Sequence, residues 1–394
     1  MPRLIEQQWE GNPATPGGRR ARASFRYEAF VPDEIRDLNP AVPFQTSLAT
    51  VAAEEAIRAL NKRAGATSLE AIGPLLLRSE AVASSRIEGY QVSTLNLARA
   101  LVDPRAARGS AHTVAANVSA MEEAIARADD PSPIRFDDLG AIHGTLMARE
   151  PHAAPGRIRG VQNWLGGRLD SPLDAEFVPP PPNDVPRLLD DLVTFLGRDD
   201  LPPVAQAAIA HGQFETIHPF IDGNGRVGRC LIHIVLRRRG TAPHFVPPVS
   251  IVMAARPKAY VAGLVDFREG RLSAWVESFA NACRLAAENA ADLADAVTAL
   301  QAVWTAKAGR PRAGSAAAKL IALLPAQPIV SAPTIRAAIG TSQQQALAAL
   351  KALADAGVVR QISEGTYDRQ FAAIELFDLV TEYEERVAGR SRAP

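Results

Sequence analysis

The chain has 394 residues, 47% of them hydrophobic, and its 43 basic and 43 acidic side chains cancel. That length and apolar content allow two or three domains of ~100–200 residues each, while zero net charge gives neither a global pull toward nucleic acid nor a bar to it. The two cysteines, Cys230 and Cys283, exclude a disulfide framework and Cys/His zinc spacing, and no apolar run approaches the ~18 residues of a spanning helix. Thirty prolines and 27 glycines punctuate alanine-rich amphipathic runs, the pattern of a mostly helical protein. The polar start, Met1 to Arg22, has no apolar signal core, so the expectation is a soluble cytoplasmic protein without membrane contact.

In chain order, residues 1–28 read as a loose leader. Thr46 to Arg63 predicts a helix, and Leu69 to Ile87 another, with Leu75, Leu76, Ala83 and Ile87 on its apolar stripe. This second helix closes in Ser84-Ser85-Arg86-Ile87-Glu88-Gly89. Glu88 is out of place there, because a carboxylate at a helix C-terminus opposes the helix dipole. A cation from elsewhere in the chain would account for it; a solvated surface glutamate is the plain alternative. Residues 113–128 and 139–147 predict two more helices, and His143 and His152 read as structural or surface groups. Pro155 to Gly167 is glycine-punctuated with a short β-like alternation. Pro179 to Pro182 is a stiff connector into a helix from Asp184 to Leu196.

Val204 to Ile217 predicts a helix in which His211 reads as a packing residue. Immediately after it comes the densest stretch of chemistry: His218-Pro219-Phe220-Ile221-Asp222-Gly223-Asn224-Gly225-Arg226-Val227-Gly228-Arg229. Val227, Cys230, Leu231, Ile234 and Val235 then recur at helical spacing up to Arg237-Arg238-Arg239-Gly240, basic residues and a glycine stop. The stretch is therefore a tight loop between two helices. Arg226 and Arg229 lie one turn apart on one face of the second helix's start, where a cation is unfavourable by roughly 0.3–1 kcal/mol. An anion held above a helix N-terminus removes that conflict. Asp222 beside it suits Mg²⁺ carried on phosphates, and His218 is the side chain able to take a proton near neutral pH. The pattern points to a nucleoside triphosphate site with a general base. Gly223, Gly225 and Gly228 also spell GxGxxG, but no strand precedes and no acid follows at the dinucleotide spacing, and no GK[ST] follows for a P-loop.

The whole string resembles the HPFx[DE]GNGRxxR motif of the Fic (Fido) family at every fixed position. The resemblance implies an all-α Fic core with a β-hairpin flap and transfer of AMP from ATP to a Ser, Thr or Tyr hydroxyl of a protein, its own chain included. It makes His218 the catalytic base and Asp222 the Mg²⁺ ligand. It makes Gly223, Asn224, Gly225, Arg226, Val227, Gly228 and Arg229 the ATP-binding residues, joined by Tyr260 near the base. Ser84, Glu88 and Gly89 resemble the family's [ST]xxxE[GN] inhibitory helix, which implies that Glu88 pairs with Arg229 and stalls transfer. The 155–167 stretch resembles the family's flap, whose edge pairs with the target segment. The same motif serves relatives that remove AMP or move other phosphate-bearing groups, and a nucleotide-sensing DNA-binding regulator is the reading from a different class.

Beyond the motif, Pro247 to Met253 and Ala259 to Phe267 continue the core, and Leu272 to Leu285 and Ala286 to Val303 predict two helices. The basic segment Ala306 to Gly314 is the clearest boundary. Helices at Ala316 to Leu324, Ala332 to Ile339 and Ser342 to Ala356, then a strand, turn and strand within 357–374, predict a C-terminal winged helix-turn-helix. Gln343, Gln344 and Gln345 could read adenine, but Lys351 offers little phosphate grip. DNA, a second copy of the chain and a target protein all stay open as its partner. The expected domains are thus an N-terminal helical region with the inhibitory helix at 29–133, a catalytic core at 134–287, a connector at 288–312, the winged helix at 313–376 and a tail at 377–394.

Overall fold

Helices fill most of the alanine-rich runs that the composition pointed to, several of them with a proline in the first turn or an internal glycine. The structure is a computed structural model that describes residues 2–14, 18–40, 43–63, 72–103, 105, 107–363 and 369–392. The predicted helix start at Leu69 and the C-terminal turn at 364–368 lie outside these residues. In chain order the elements are β1 (Arg3–Trp9), α1 (Arg19–Arg22), β2 (Phe25–Val31), α2 (Phe44–Lys62), α3 (Gly73–Ile87), α4 (Thr94–Val102) and α5 (Ala111–Asp129). Next come α6 (Phe136–Leu146), α7 (Val185–Leu196), α8 (Pro203–Ile217), α9 (Asn224–Arg238), α10 (Val249–Ala255), α11 (Pro257–Arg268) and α12 (Leu272–Lys307). The last part holds α13 (Ala316–Leu323), β3 (Ile329–Val330), α14 (Ala332–Ile339), α15 (Gln343–Asp355), β4 (Arg360–Gln361), β5 (Phe371–Ala372) and α16 (Ile374–Arg392). No described helix is long and apolar enough to cross a membrane.

The chain divides into two units that interleave along the sequence, where the composition had suggested consecutive domains. One comprises Met1–Thr50, Ser119–Arg239 and Val261–Ala280; the other comprises Val51–Val118, Gly240–Tyr260 and Asn281–Pro394.

In the first unit α8 is the central helix. Every residue from Val204 to Ile217 is buried, mostly apolar or small as an enclosed helix requires, and among its buried polar groups Thr216 Oγ1 donates to Gly212 O at 2.7 Å and Gln213 Nε2 to Asp33 O at 2.9 Å. It packs against α7 and α9. Small residues let the elements close in: a Cβ on Gly228 would sit 2.5 Å from Glu215 Oε1, and one on Gly263 would sit 2.6 Å from Trp275 Cε3. Trp275 in turn donates from Nε1 to the Ala208 carbonyl at 2.8 Å. The buried Asp191 of α7 accepts from Ile35 N at 2.7 Å and from Arg36 N and Nε at 3.0 and 2.9 Å, fixing the chain where it leaves β2.

The expected loose leader is instead a hairpin. β1 and β2 pair antiparallel over all seven residues, Arg3 opposite Val31 through Trp9 opposite Phe25. Its inward positions include Ile5, Gln7 and Trp9 on one strand and Phe25, Tyr27 and Ala29 on the other. The polar residues alternating with them hid the strand period.

In the second unit α10 packs on α3 and α16, and α4 packs on α16 and β3. The buried Glu80 of α3 accepts from Ser250 N at 2.8 Å, in the first turn of α10, and also bonds the Ser250 hydroxyl. Asn61 ties the end of α2 to 244–245, donating to Phe245 O and accepting from His244 N and Phe245 N, all at 2.9 Å. The C-terminal helices α13, α14 and α15 accompany a three-stranded sheet of order β3-β5-β4, in which β3 is a strand that the hydrophobic pattern did not reveal.

Two further expectations change. The two helices read after Leu272 are one, the 36-residue α12, because neither proline nor glycine interrupts 272–307. The tail expected at 377–394 is most of α16, with Val380, Tyr383 and Val387 buried. Its apolar stripe is covered. Cys230 and Cys283 are buried free thiols.

Candidate active site at the turn between two buried helices

Six residues turn the chain from α8 into α9. The turn begins at His218, the C-cap of α8, whose left-handed backbone (φ 50°, ψ 60°) no β-carbon favours. It ends at Gly223, the N-cap of α9, also left-handed at φ 78°, where a Cβ would press on Met147 Sδ at 3.1 Å and Leu146 Cδ2 at 3.2 Å. Glycine is required there for both reasons.

The strain at His218 is held by its neighbours. Arg159, 2% exposed, donates from Nε to the His218 carbonyl at 2.8 Å and from its terminal nitrogens to Pro180 O at 2.6 Å and Val161 O at 3.1 Å. Its own backbone N–H donates to Pro219 O at 2.9 Å. Burial pulls the Arg159 guanidinium down to about 10, still charged at neutral pH. Asn163 Nδ2 donates to Phe220 O at 2.9 Å. His143 completes the frame: Nδ1 accepts from Gly156 N at 2.9 Å, so Nε2 carries the proton and donates to Asp222 O at 3.0 Å. Burial lowers the His143 imidazole to about 4, which keeps it neutral.

These anchors leave the functional groups on a fixed turn. His218 Nδ1 faces the Glu215 carbonyl at 3.3 Å; a carbonyl only accepts, so Nδ1 bears the hydrogen and Nε2 the basic lone pair. Asp222 is half exposed, with Oδ1 accepting from Gly223 N at 2.5 Å and standing 3.6 Å from Arg226 NH2. Arg226 and Arg229 are each 1% exposed. Two guanidiniums buried in the first turns of one helix are unfavourable beside its positive pole unless anionic charge faces them. His211, fully buried one helix away, feels that charge: burial and then Arg229 push its imidazole down to about 3.

The structure sorts the sequence-predicted residues into distinct jobs. His218, Asp222, Gly223, Asn224, Gly225, Arg226 and Arg229 do come together on this turn. Asn224 turns its side chain back, accepting from Phe220 N and donating to Phe220 O, both at 2.8 Å, so it braces the loop. Val227 offers a ligand neither side chain nor amide: it is fully buried and its N–H donates to Gly223 O at 3.1 Å. Gly228 serves the close approach of α9 to α8. Tyr260 lies half-buried in the first turn of α11, its N–H donating to Arg256 O at 3.0 Å. Ser84 is buried within α3, Glu88 is that helix's C-cap, and Gly89 follows at φ 86°.

The predicted flap is not a paired hairpin in this structure. Among its described residues one antiparallel bridge, Leu165 with Phe177, closes the loop, and Leu165 N donates to Phe177 O at 2.8 Å. Gly166 and Gly167 supply left-handed turns at φ 73° and 68°. Arg159, Asn163 and His143 were not predicted as site residues. The one hint was an arginine set between Ile158 and Gly160, and nothing in spacing linked it to His218.

Residues 133–236 match the Fic/DOC family and residues 48–126 match the Fic/DOC family N-terminal region. Among curated proteins, "Protein adenylyltransferase fic-1" of Caenorhabditis elegans is 32% identical over 142 residues, covering 34% of this chain and 25% of that protein. "Protein adenylyltransferase Fic" of Nematostella vectensis is 30% identical over 169 residues, covering 41% of this chain and 37% of that protein. The chain thus spans about a quarter to a third of the length of these relatives. A solved Fic family protein from Desulfovibrio desulfuricans shares the fold, with a TM-score of 0.53 at 23% identity over 85% of this chain and 97% of that one.

Proposed function

The chain carries the Fic/DOC family domain together with that family's N-terminal region, and from that premise we propose that it is a protein adenylyltransferase. It transfers AMP from ATP to a Ser, Thr or Tyr hydroxyl of a protein, its own chain included. The observation that carries this reading is the orientation of His218. Its Nδ1 is committed to the Glu215 carbonyl, so Nε2 is the basic atom at the mouth of a helix that buries two guanidiniums.

His218 Nε2 takes the hydroxyl proton as the oxygen attacks the α-phosphorus; the new P–O bond forms as the bond to pyrophosphate breaks. Arg226 and Arg229 stabilise the outer phosphates, and the N–H groups of the first turn of α9 face the developing charge. Among the described residues no group of three or more His, Cys, Asp or Glu could hold a metal ion. The half-exposed Asp222 carboxylate suits an ion bound by one carboxylate and substrate phosphates, which is how Mg²⁺ is commonly held. When bound, Mg²⁺ would neutralise charge on those phosphates.

We read Glu88 as the acid that restrains transfer, on the resemblance of Ser84, Glu88 and Gly89 to the family's inhibitory motif. The C-terminal helices and sheet are read as a winged helix-turn-helix whose partner is protein. Supporting this, Lys351 on α15 is tied to Asp355 at 2.8 Å and Leu347 on the same helix is 51% exposed.

The test is mass spectrometry for AMP added to lysate proteins and to the chain itself, with ATP and Mg²⁺. The Glu88→Gly chain should label targets and Glu88→Gly/His218→Ala should not. Equal labelling with and without His218, in folded protein, would overturn the catalytic reading and leave nucleotide sensing.

A further inference from the structure

Helix α3, which ends at Glu88, is fastened at several points within its own unit. Glu80 meets the first turn of α10 through Ser250 N at 2.8 Å. From α5, Asn117 Nδ2 donates to Ala81 O at 3.0 Å and Ser85 Oγ at 3.1 Å. The last turn has a different tie. Arg86 NH2 donates to Glu384 Oε2 at 2.9 Å, bringing together residues 298 positions apart. Arg86 is two residues before Glu88, and its carbonyl accepts from Gly89 N at 3.0 Å in the turn that closes the helix.

Glu384 belongs to α16 and its side chain is 10% exposed, against 44% for Arg86. A carboxylate that buried is costly without a counter-ion. Burial raises its pKa while Arg86 works to lower it. The same helix face buries Val380, Tyr383 and Val387, so α16 is itself held where it lies on α10 and α4. The ion pair therefore connects an anchored helix to the turn that carries Glu88.

We infer that Arg86 and Glu384 are positioning residues for Glu88: the C-terminal helix holds the final turn of α3 and so sets how firmly transfer is restrained. This rests on the reading of Glu88 as the restraining acid. Without the pair, the last turn of α3 frays as exposed helix ends do, and Glu88 spends less time in its restraining position.

The experiment measures AMP incorporation from radiolabelled ATP by the full chain and amide exchange across 84–89. Arg86→Gln and Glu384→Gln should each raise incorporation roughly fivefold, in the upper range for a partly exposed ion pair, and speed exchange in that segment. Arg86→Lys should stay near wild type, because it keeps the cation. The double Gln variant should rise no further than either single, as partners in one interaction do. Gln variants with wild-type incorporation and exchange, beside an elevated Glu88→Gly, would overturn the positioning role alone. A Glu88→Gly chain no faster than wild type would overturn the restraint reading and this inference with it. Arg86→Gln stands as the main arm should Glu384→Gln fail to fold, since Arg86 is the more exposed partner.

Discussion

The imidazole of His143 lies flat on the ring of Phe220, centroids 3.8 Å apart and planes 2° from parallel, while its Nε2 meets the Asp222 carbonyl at 3.0 Å. One side chain from α6 thus fixes both the middle and the end of the turn that carries His218. Packing and hydrogen bonding can be separated here. His143→Phe keeps the stack and loses both hydrogen bonds, so it should cost about 1–3 kcal/mol in urea unfolding and lower AMP transfer through a loosened Asp222. His143→Ala removes the stack as well and should cost about 2–5 kcal/mol. Equal transfer rates in wild type and His143→Phe would show that the turn needs no such brace.

Acid should destabilise the fold through the same residue. His143 is lowered to about 4 and His211 to about 3 by burial, so both are neutral in the folded chain near pH 6 while an unfolded histidine, near 6.5, takes up a proton. The unfolded state then binds more protons, and stability rises with pH there. Its contribution is complete above about 6.5 and is lost as pH falls through 4 and then 3. Urea midpoints measured from pH 7.5 down to 4 should fall, and fall less in His143→Phe. A flat profile that the variant does not change would contradict the buried neutral imidazoles.

Arg159 offers a test of strain. Its guanidinium bridges the carbonyls of His218, Pro180 and Val161, three acceptors that a point-charge ammonium cannot reach together. Arg159→Lys should leave the helices folded yet reduce transfer by roughly a hundredfold, the scale of a misplaced reacting group. ATP affinity by calorimetry should change much less. A variant with wild-type transfer would mean that the left-handed backbone at His218 holds itself.

These residues mark where the sequence is legible and where it is not. His218 to Arg229 is contiguous, so its chemistry shows in the order of residues and in cations placed at the wrong end of a helix. Arg159 and His143 act on that stretch from 59 and 79 positions away; only the folded chain brings them to it. The β1–β2 hairpin was hidden by polar residues on its open face, and α12 was cut in two by an alanine-rich middle that looked like a connector. Helix α16 was read only as a tail, and Glu382, Glu384 and Glu385 crowd its middle. Acidic composition cannot report that Glu384 faces inward onto Arg86.

Removing the proposed restraint should be the largest single gain in activity. Glu88→Gly deletes the carboxylate at the C-cap of α3; on the proposed restraint a charge-assisted contact is worth about 1.5–3 kcal/mol, so AMP incorporation should rise roughly ten- to a hundredfold. Glu88→Gln, which keeps the shape, should rise nearly as much. Radiolabelled ATP with lysate from the same source reads both. No gain in either variant would remove Glu88 from the account of regulation.

The close approach of α9 to α8 predicts a stability defect next to the site. A methyl group on Gly228 would lie 2.5 Å from Glu215 Oε1 and 3.1 Å from both His211 Nδ1 and Phe214 Cδ1. Glu215, His211 and Phe214 are all buried, so none has solvent to move into. Gly228→Ala should therefore destabilise the chain by about 1–3 kcal/mol despite alanine's better helix propensity. The strain should reach Arg229, one residue on, and weaken ATP binding more than Gly389→Ala, where a Cβ would meet open space. Urea unfolding and nucleotide calorimetry on the two variants measure both effects. A Gly228→Ala chain as stable as wild type would show that α9 can shift away from α8, and that the two buried arginines are not held as rigidly as this packing requires.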